Sequence, residues 1–227
     1  PASSPAICSW ATFKAPPLIL GHETSGIVAD VGIEVEGFGP GDRVLLPAVL
    51  TCGRCSLCRR GRENICERML MFGNHIDGAY AEFVVAPAKD VFAVPPEIPL
   101  EEAAIIADAM STPFHAVTVR GQVHLGDWVV VYGCGGVGLN VVQIASAMGA
   151  QVIAVDLVDA KLLLAMELGA RHTLNPQATE QVPKAVKKLT DGGADVAFEA
   201  VGTPATIGLA LESVRRGGRV VLVGYSQ

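Results

Sequence analysis

Residues 128–138 read WVVVYGCGGVG, an apolar run that leads directly into three spaced glycines. The run Trp128–Tyr132 predicts a buried strand, and the glycines that follow fit G-x-G-x-x-G at the start of a helical stretch. In this setting Gly133 permits a tight turn, Gly135 lets a pyrophosphate approach the backbone, and Gly138 lets helix and strand pack closely. The stretch therefore predicts a dinucleotide-binding turn. Its expected pyrophosphate-binding residues are Gly133, Gly135, Gly136, Val137 and Gly138.

The chain after about residue 110 alternates between short apolar runs and helical stretches. Helix starts are indicated by Asp159 as an N-cap, and by Thr203 as an N-cap followed by Pro204. Short apolar runs separated by helices indicate a parallel sheet that helices cover on both faces. We therefore predict an α/β fold, a Rossmann-type doubly wound parallel sheet without its sixth strand. The predicted strands are Trp128–Tyr132, Gln151–Asp156, His172–Leu174, Asp195–Glu199 and Val220–Gly224.

Asp156 ends the second predicted strand of this sheet, about 18 residues after Gly138. A carboxylate at this position accepts hydrogen bonds from the adenosine ribose hydroxyls and repels a 2′-phosphate. No arginine directly follows Asp156, and Lys161 is the nearest cation, within reach of the ribose. We therefore expect NAD rather than NADP. The alternative for Asp156 is a loop or capping residue.

The first part of the chain is rich in turns and in short strand-like runs. Turns are indicated by Gly-Pro-Gly-Asp at Gly39–Asp42 and by the pair Pro95-Pro96. This pattern predicts a small β-barrel. The strand-like runs are Gly26–Val31, Arg43–Leu46, Ala79–Ala86 and Val91–Val94.

Four closely spaced cysteines follow the pattern C-x2-C-x2-C-x7-C at positions Cys52, Cys55, Cys58 and Cys66. Four thiolates around one ion form the closed tetrahedral set of a structural zinc site. A disulfide staple needs an oxidising compartment, and an iron–sulfur cluster is disfavoured by the last spacing and by Glu67, which stands where proline is typical. We therefore predict a structural zinc lobe at about residues 51–67. Cys8 and Cys134 stand apart and are expected to be packing residues.

Composition excludes several classes of protein. The 227 residues are 50% hydrophobic and 18% charged, which argues against a disordered chain. The net charge of −6 gives no basic excess for binding the phosphate backbone of a nucleic acid. No apolar run approaches the ~20 residues of a membrane span, and no leader is recognisable. We expect a cytoplasmic protein with a small-molecule substrate and with neither nucleic acid nor membrane as a partner.

Two further residues are candidate ligands of a reactive metal. His22 lies in Gly-His-Glu-Thr-Ser-Gly at Gly21–Gly26, where Glu23 offers a carboxylate beside the imidazole. Asp108 lies in a turn before Thr112, which we expect to cap a helix that continues with proline. From these residues alone, a structural histidine and a plain loop acid near a helix N-terminus remain the alternatives.

Taken together, these motifs resemble the zinc-containing alcohol dehydrogenases of the medium-chain dehydrogenase/reductase superfamily. The resemblance runs from about Leu18 to Tyr225, and its motifs come in family order. It implies a partial GroES-like catalytic domain at residues 1–107 and an NAD-binding Rossmann domain at residues 108–227. The matching stretches are Gly21–Gly26, Gly39–Val44, the four-cysteine lobe, Gly78–Phe83, Thr112–Val117, Gly133–Gly138 and Asp156.

The resemblance also implies roles for individual residues. His22, Glu23 and Asp108 match the surroundings of the family's catalytic zinc, in a cleft between the two domains. The implied reaction transfers a hydride between an alcohol and NAD and gives an aldehyde or ketone. The implied homo-oligomer is a property of the full-length family. The residues expected near the nicotinamide are Thr112, Val201, Gly202 and Gly224.

The chain also departs from the family pattern. It begins with Pro1 rather than Met and lacks the sixth strand, so we expect it to be the middle of a longer enzyme. The family's first zinc ligand is a cysteine some way before the Gly-His-Glu element, and Cys8 lacks its surrounding pattern. Two alternatives therefore remain open: a polyol or other secondary-alcohol dehydrogenase, and a catalytically silent NAD-binding protein with only the structural zinc.

Overall fold

The computed structural model describes Lys14 and residues 16–225, so Cys8 lies outside the described residues. The chain forms two compact units that divide between Asp108 and Ala109. Within the described residues, no helix is both long enough and apolar enough to cross a membrane.

The first unit is built from short antiparallel strands. The strands β1 (Thr24–Ile27), β2 (Arg43–Leu46) and β5 (Phe92–Ala93) form one sheet in the order β1-β2-β5. The strand β3 (Val49–Leu50) pairs with β4 (Leu70–Met71). The helix α1 (Leu100–Ala103) and the 3-10 turn Ala104–Ala107 pack their alanines against Leu45 of β2 and Val94. This packing places Asp108, the next residue, beside the sheet.

One predicted strand of this unit, Ala79–Ala86, is not a strand in the structure. Gly78 and Tyr80 donate backbone hydrogen bonds to the carbonyls of Ile19 and Leu20, at 2.7 and 2.9 Å. After Tyr80 the structure shows no strand pairing for this segment within the described residues, although Val84 and Ala86 pack against the cluster of Leu46, Leu50 and Phe72. The prediction was wrong because an apolar run indicates burial and does not by itself specify a partner strand.

The second unit contains a five-stranded parallel sheet. Its strands are β6 (Trp128–Tyr132), β7 (Gln151–Val155), β8 (His172–Leu174), β9 (Ala194–Glu199) and β10 (Val214–Leu222). Their order in the sheet is β10-β9-β6-β7-β8. Its helices are α2 (Ser111–His115), which continues into a π-helical turn at Ala116–Gly121, then α3 (Gly136–Ala147), α4 (Asp159–Glu167), α5 (Val182–Leu189) and α6 (Pro204–Ser213). The predicted doubly wound parallel sheet is confirmed.

Both faces of this sheet are buried, as a parallel sheet requires. Val129 and Val131 of β6 join the apolar cluster on one face, and Val130 and Tyr132 join the cluster on the other. The strand order changes direction between β6 and β9, because β7 and β8 extend to one side of β6 and β9 and β10 to the other. In such sheets ligands bind beyond the carboxyl ends of the strands at this switch point.

Two helix starts differ from their predictions, and one agrees. Asp159 is the first residue of α4 rather than its N-cap, and its carboxylate accepts a 2.6 Å hydrogen bond from Asn175. The helix α2 begins at Ser111, so Thr112 lies inside it. In both cases a side chain that suits a cap sits one residue or more within the helix. Thr203 is confirmed as the N-cap of α6, and its hydroxyl accepts a hydrogen bond from the N–H of Thr206.

Candidate functional site

The four predicted cysteine ligands converge in the first unit. All four Sγ atoms lie within 4.8 Å of one another. The Cys55–Cys58, Cys52–Cys58 and Cys55–Cys66 sulfur pairs are 3.4, 3.9 and 4.0 Å apart. Tetrahedral zinc with bonds of roughly 2.3 Å holds its sulfurs about 3.8 Å apart. The donor set and its spacing therefore fit one zinc ion.

Local backbone geometry creates this cluster. The N–H of Cys55 donates to the sulfur of Cys52 at 3.3 Å, and the N–H of Cys58 donates to the sulfur of Cys55 at 3.4 Å. The N–H of Cys58, followed by that of Glu67, lowers the pKa of Cys55 to about 6, whereas burial raises the pKa of Cys58 to about 12. A cation among the four sulfurs would favour the thiolate form of Cys58.

His22 and Asp108 meet in the same unit although 86 positions separate them. The imidazole Nε2 lies 3.2 Å from the carboxylate Oδ2, and the two side chains are 37% and 31% exposed. His22 lies two residues before the start of β1, and Asp108 follows the 3-10 turn beside β2. Two tetrahedral zinc ligands with bonds of roughly 2.0–2.2 Å lie about 3.3–3.6 Å apart. The pair therefore fits two corners of a zinc site and also forms a hydrogen bond without metal.

Glu23 does not complete this pair into a three-ligand group. Within the described part of the chain, groups of three or more metal-binding side chains consist of the four cysteines alone. Glu23 is exposed and follows His22 directly. The structure thus brings together His22 and Asp108 but leaves the third protein ligand of a catalytic site unassigned.

The glycine turn of the second unit is shaped by three separate demands. Gly133 has a φ of +91°, which only glycine adopts readily. A Cβ on Gly138 would lie 1.7 Å from the carbonyl oxygen of Gly133, so this position admits no side chain. A Cβ on Gly135 would meet nothing within 4 Å, which leaves open space above the N-terminus of α3. This arrangement fits a pyrophosphate against the exposed backbone of the turn.

Asp156 follows β7 and is tied to the glycine turn. Its Oδ2 accepts the N–H of Cys134 at 2.7 Å, and its Oδ1 accepts the N–H of Val158 at 2.9 Å. Lys161 approaches the same carboxylate at 3.9 Å. Burial and the neighbouring Asp156 charge raise the pKa of the Cys134 thiol to about 12, so this thiol stays neutral. Asp156 therefore caps its own loop, as the alternative from the sequence has it, and it also holds the glycine turn through Cys134, which the sequence did not reveal.

Val201, Gly202 and Gly224 lie together beyond the carboxyl ends of β9 and β10. A Cβ on Gly224 would lie 2.3 Å from the nitrogen of Gly202, and a Cβ on Gly133 would lie 2.6 Å from the Cγ2 of Val201. The three segments that carry Gly133, Val201 and Gly224 are therefore closely packed. Thr112 lies in α2 of the same unit.

Glu199 is a site residue that sequence reasoning missed. It ends β9, its side chain is fully buried, and its Oε1 accepts hydrogen bonds from the N–H groups of Val201 and Gly202 at 3.0 and 2.8 Å. The available signal was an acid at the end of an apolar strand, two residues before Val201, the first of the residues of this segment expected near the nicotinamide. A buried acid at such a position is uncommon unless it is paired.

Comparisons with known proteins agree with this geometry. The family described as "Alcohol dehydrogenase GroES-like domain" matches residues 6–96, and the family described as "Zinc-binding dehydrogenase" matches residues 136–227. An alcohol dehydrogenase of Geobacillus stearothermophilus is 41% identical over 216 residues, which cover 95% of this chain and 63% of the relative. A sorbitol dehydrogenase of Bacillus subtilis (strain 168) is 38% identical, with 92% and 59% covered.

A solved structure agrees as well. The alcohol dehydrogenase TADH from Thermus sp. ATN1 superposes with a TM-score of 0.87 at 36% identity, covering 93% of this chain and 63% of that one. The chain thus spans less than two thirds of the length of these three relatives. Both family matches, the relatives and the parallel sheet with its glycine turn lead to one assignment. The chain belongs to the zinc-containing alcohol dehydrogenases of the medium-chain dehydrogenase/reductase superfamily.

Proposed function

We propose that this chain provides the metal-binding and coenzyme-binding parts of a zinc-dependent oxidoreductase that transfers a hydride between an alcohol and NAD. The product of oxidation is an aldehyde or a ketone. The observation that carries the proposal is the 3.2 Å approach of His22 and Asp108, since two metal-binding side chains 86 positions apart meet only through the fold. Residues 1–107 act as the catalytic domain in this proposal, and residues 108–227 act as the NAD-binding domain.

Two zinc ions per chain follow from this proposal. The structural ion is held by Cys52, Cys55, Cys58 and Cys66, which form a closed four-sulfur set. The catalytic ion would be held by His22 and Asp108, with Glu23 beside them. When bound, this zinc acts as a Lewis acid on the substrate oxygen, and NAD carries the hydride.

The chain's own residues bind and orient the coenzyme in this proposal. The backbone N–H groups at the start of α3, beside Gly135, receive the pyrophosphate. Asp156 accepts hydrogen bonds from the adenosine ribose, and its charge disfavours the 2′-phosphate of NADP. Lys161, 3.9 Å from that carboxylate, contacts the ribose edge. Val201 and Gly224 line the nicotinamide end.

Metal analysis of purified variants tests the catalytic site. We expect two zinc ions per chain in the wild type and one in His22→Ala and in Asp108→Ala, with loss of NADH formation from alcohols. His124→Ala is the matched control, because His124 is an exposed histidine with 73% of its side chain accessible. Retention of two zinc ions in both site variants would contradict the catalytic assignment. One zinc in the wild type without NADH formation would favour the catalytically silent alternative.

The second candidate is a polyol or other secondary-alcohol dehydrogenase. The similarity to a sorbitol dehydrogenase at 38% identity favours it specifically. A panel of primary, secondary and cyclic alcohols together with linear polyols separates the two candidates through kcat/KM. A preference of more than about tenfold for polyols, worth about 1.4 kcal/mol, decides for the second.

We also propose that the protein is a homo-oligomer. Its support is the resemblance to the full-length family, for which a homo-oligomer is expected. Sedimentation equilibrium tests this point, and a strictly monomeric protein would contradict it.

A further inference from the structure

Glu199 has no role in the proposed chemistry, although its environment is unusual. The side chain is fully buried at the end of β9. Its Oε1 accepts three hydrogen bonds: from the N–H of Val201 at 3.0 Å, from the N–H of Gly202 at 2.8 Å and from the hydroxyl of Thr206 at 2.7 Å. Its Oε2 is also buried, and within the described residues it has no hydrogen-bond partner.

These contacts bind the loop after β9 to the first turn of α6. Thr206 takes part in the capping box with Thr203, so its hydroxyl links the helix start to the Glu199 carboxylate. The helix N-terminus adds a favourable field for a negative charge. Hydrogen bonds to a carboxylate are roughly twice as strong as those between neutral groups. Glu199 thus fixes the backbone of Val201 and Gly202 through hydrogen bonds from their N–H groups to its carboxylate.

The main chain of Glu199 fixes a second segment. Its carbonyl oxygen accepts the N–H groups of Val223 and Gly224, both at 2.8 Å. Gly224 packs so closely on Gly202 that a Cβ would come within 2.3 Å of the Gly202 nitrogen. One buried residue therefore ties together the loop after β9 and the residues that follow β10.

We propose that Glu199 is a positioning residue for the nicotinamide end of the bound coenzyme. This inference rests on the proposed function and deepens it. The strand order changes direction between β6 and β9, so the half of a dinucleotide beyond the pyrophosphate extends over the carboxyl ends of β9 and β10. The backbone that Glu199 holds lies at these ends.

The proposal separates the two ends of the coenzyme. Asp156 serves the adenosine end, on the β7 side of the turn, whereas Glu199 acts on the opposite side. Loosening the loop at Val201 should therefore weaken binding of NADH but not of ADP-ribose, which has the adenosine and pyrophosphate but no nicotinamide. A residue that merely stabilises the unit would weaken both ligands alike.

Glu199→Gln is the decisive variant, because it keeps the shape and a carbonyl acceptor but removes the charge. Binding of NADH and of ADP-ribose to the purified zinc-loaded chain is measured by calorimetry, with melting temperatures recorded in parallel. We expect NADH affinity to fall about tenfold, as for the loss of charge assistance in buried hydrogen bonds, while ADP-ribose affinity changes less than about twofold. Equal losses for both ligands, or no loss for either, would overturn the positioning role.

Two further variants keep the test decisive if Glu199→Gln folds poorly. Thr206→Val keeps the Glu199 charge and removes one of its three donors, so we expect a smaller loss that is again confined to NADH. Ser213→Ala removes a buried hydrogen bond to Tyr132, 2.6 Å, at the other end of α6 and should change neither affinity. A selective loss of NADH affinity in Ser213→Ala would overturn the proposal. Failure of the wild type to bind either ligand would instead refute the proposed function itself.

Discussion

The cysteine lobe and the coenzyme end of the parallel sheet build their sites in opposite ways. In the lobe, all four ligands come from one short segment, and neighbouring backbone N–H groups point at their sulfurs. At the sheet, Gly133, Asp156, Val201 and Gly224 come from four separate segments that meet beyond the strand ends. The first site is specified locally, whereas the second depends on the whole sheet.

This difference teaches how each site should fail. A locally specified metal site loses its ion when one ligand is removed, with little consequence for a distant sheet. A site assembled from strand ends loses its ligand when packing between segments is disturbed, and the metal lobe should not respond. Zinc content and coenzyme binding are therefore independent readouts of the two sites. Two substitutions test that independence, and two further ones test the stability of the sheet unit alone.

The largest effect is expected from Cys58→Ser. Removing one of four thiolates opens a closed zinc site, and the folding free energy of such lobes is supplied largely by the metal. We expect the loss of one zinc ion per chain and a fall in Tm of at least about 10 °C for the first unit, with ADP-ribose binding retained. Ser56→Ala, in the same lobe, removes only an exposed 3.3 Å contact with Glu67 and is the control. Full zinc content in Cys58→Ser would contradict the assignment of this ligand.

Gly138→Ala should give the second-largest effect, on the other site. The added methyl group would overlap the carbonyl oxygen of Gly133, which forces the start of α3 away from β6. Overpacking of this kind costs about 1–3 kcal/mol of stability. We expect binding of NADH and of ADP-ribose to fall more than about tenfold by calorimetry, while both zinc ions remain. Simultaneous loss of zinc would show that the two sites are not independent.

Asp195→Asn perturbs the amino-terminal edge of the same sheet. Partial burial raises the pKa of Asp195, but the Arg215 guanidinium at 2.6 Å and the Trp128 N–H at 2.7 Å outweigh it and lower the pKa overall. The carboxylate therefore stabilises the fold above its unfolded pKa of about 3.9, and this contribution disappears as pH falls through the lower folded pKa.

Urea unfolding at several pH values measures this contribution. We expect Asp195→Asn to lower the free energy of unfolding by about 1 kcal/mol at pH 7, and the difference from wild type to shrink below about pH 4. Coenzyme affinity should not change, because the substitution lies at the opposite end of the strands from the glycine turn. Asp191→Asn, an exposed acid of the same unit, is the control. A difference that grows towards low pH would refute the argument.

The smallest effect is expected from Gly208→Ala in α6. A Cβ at this position would meet nothing within 4 Å, and alanine is the better helix former. We expect a gain of up to about 1 kcal/mol in the free energy of unfolding, with unchanged NADH binding. Comparison with Gly138→Ala shows that the environment of a glycine, rather than the residue type, decides the sign. Destabilisation by Gly208→Ala would indicate packing that the structure does not contain.

Sequence patterns predicted much of the second unit, because buried parallel strands leave a strong local record. The runs Trp128–Tyr132 and His172–Leu174 form β6 and β8 with the predicted bounds, and Thr203 caps α6. The strands of the first unit were predicted less completely. The segment Ala79–Ala86 is an apolar, strand-like run but forms no strand among the described residues. An apolar run indicates burial, whereas strand pairing depends on which segments lie beside it.

The sequence by itself determined the cysteine lobe and the glycine turn, because each is a short segment whose chemistry is carried by spacing. Only the tertiary structure decided that His22 and Asp108 lie 3.2 Å apart, since no local rule relates residues on separate elements. It also decided that the buried Glu199 carboxylate accepts the N–H groups of Val201 and Gly202, and that Asp156 accepts the N–H of Cys134 in the glycine turn. Contacts between distant segments are set by packing of the sheet, and a linear pattern does not record them.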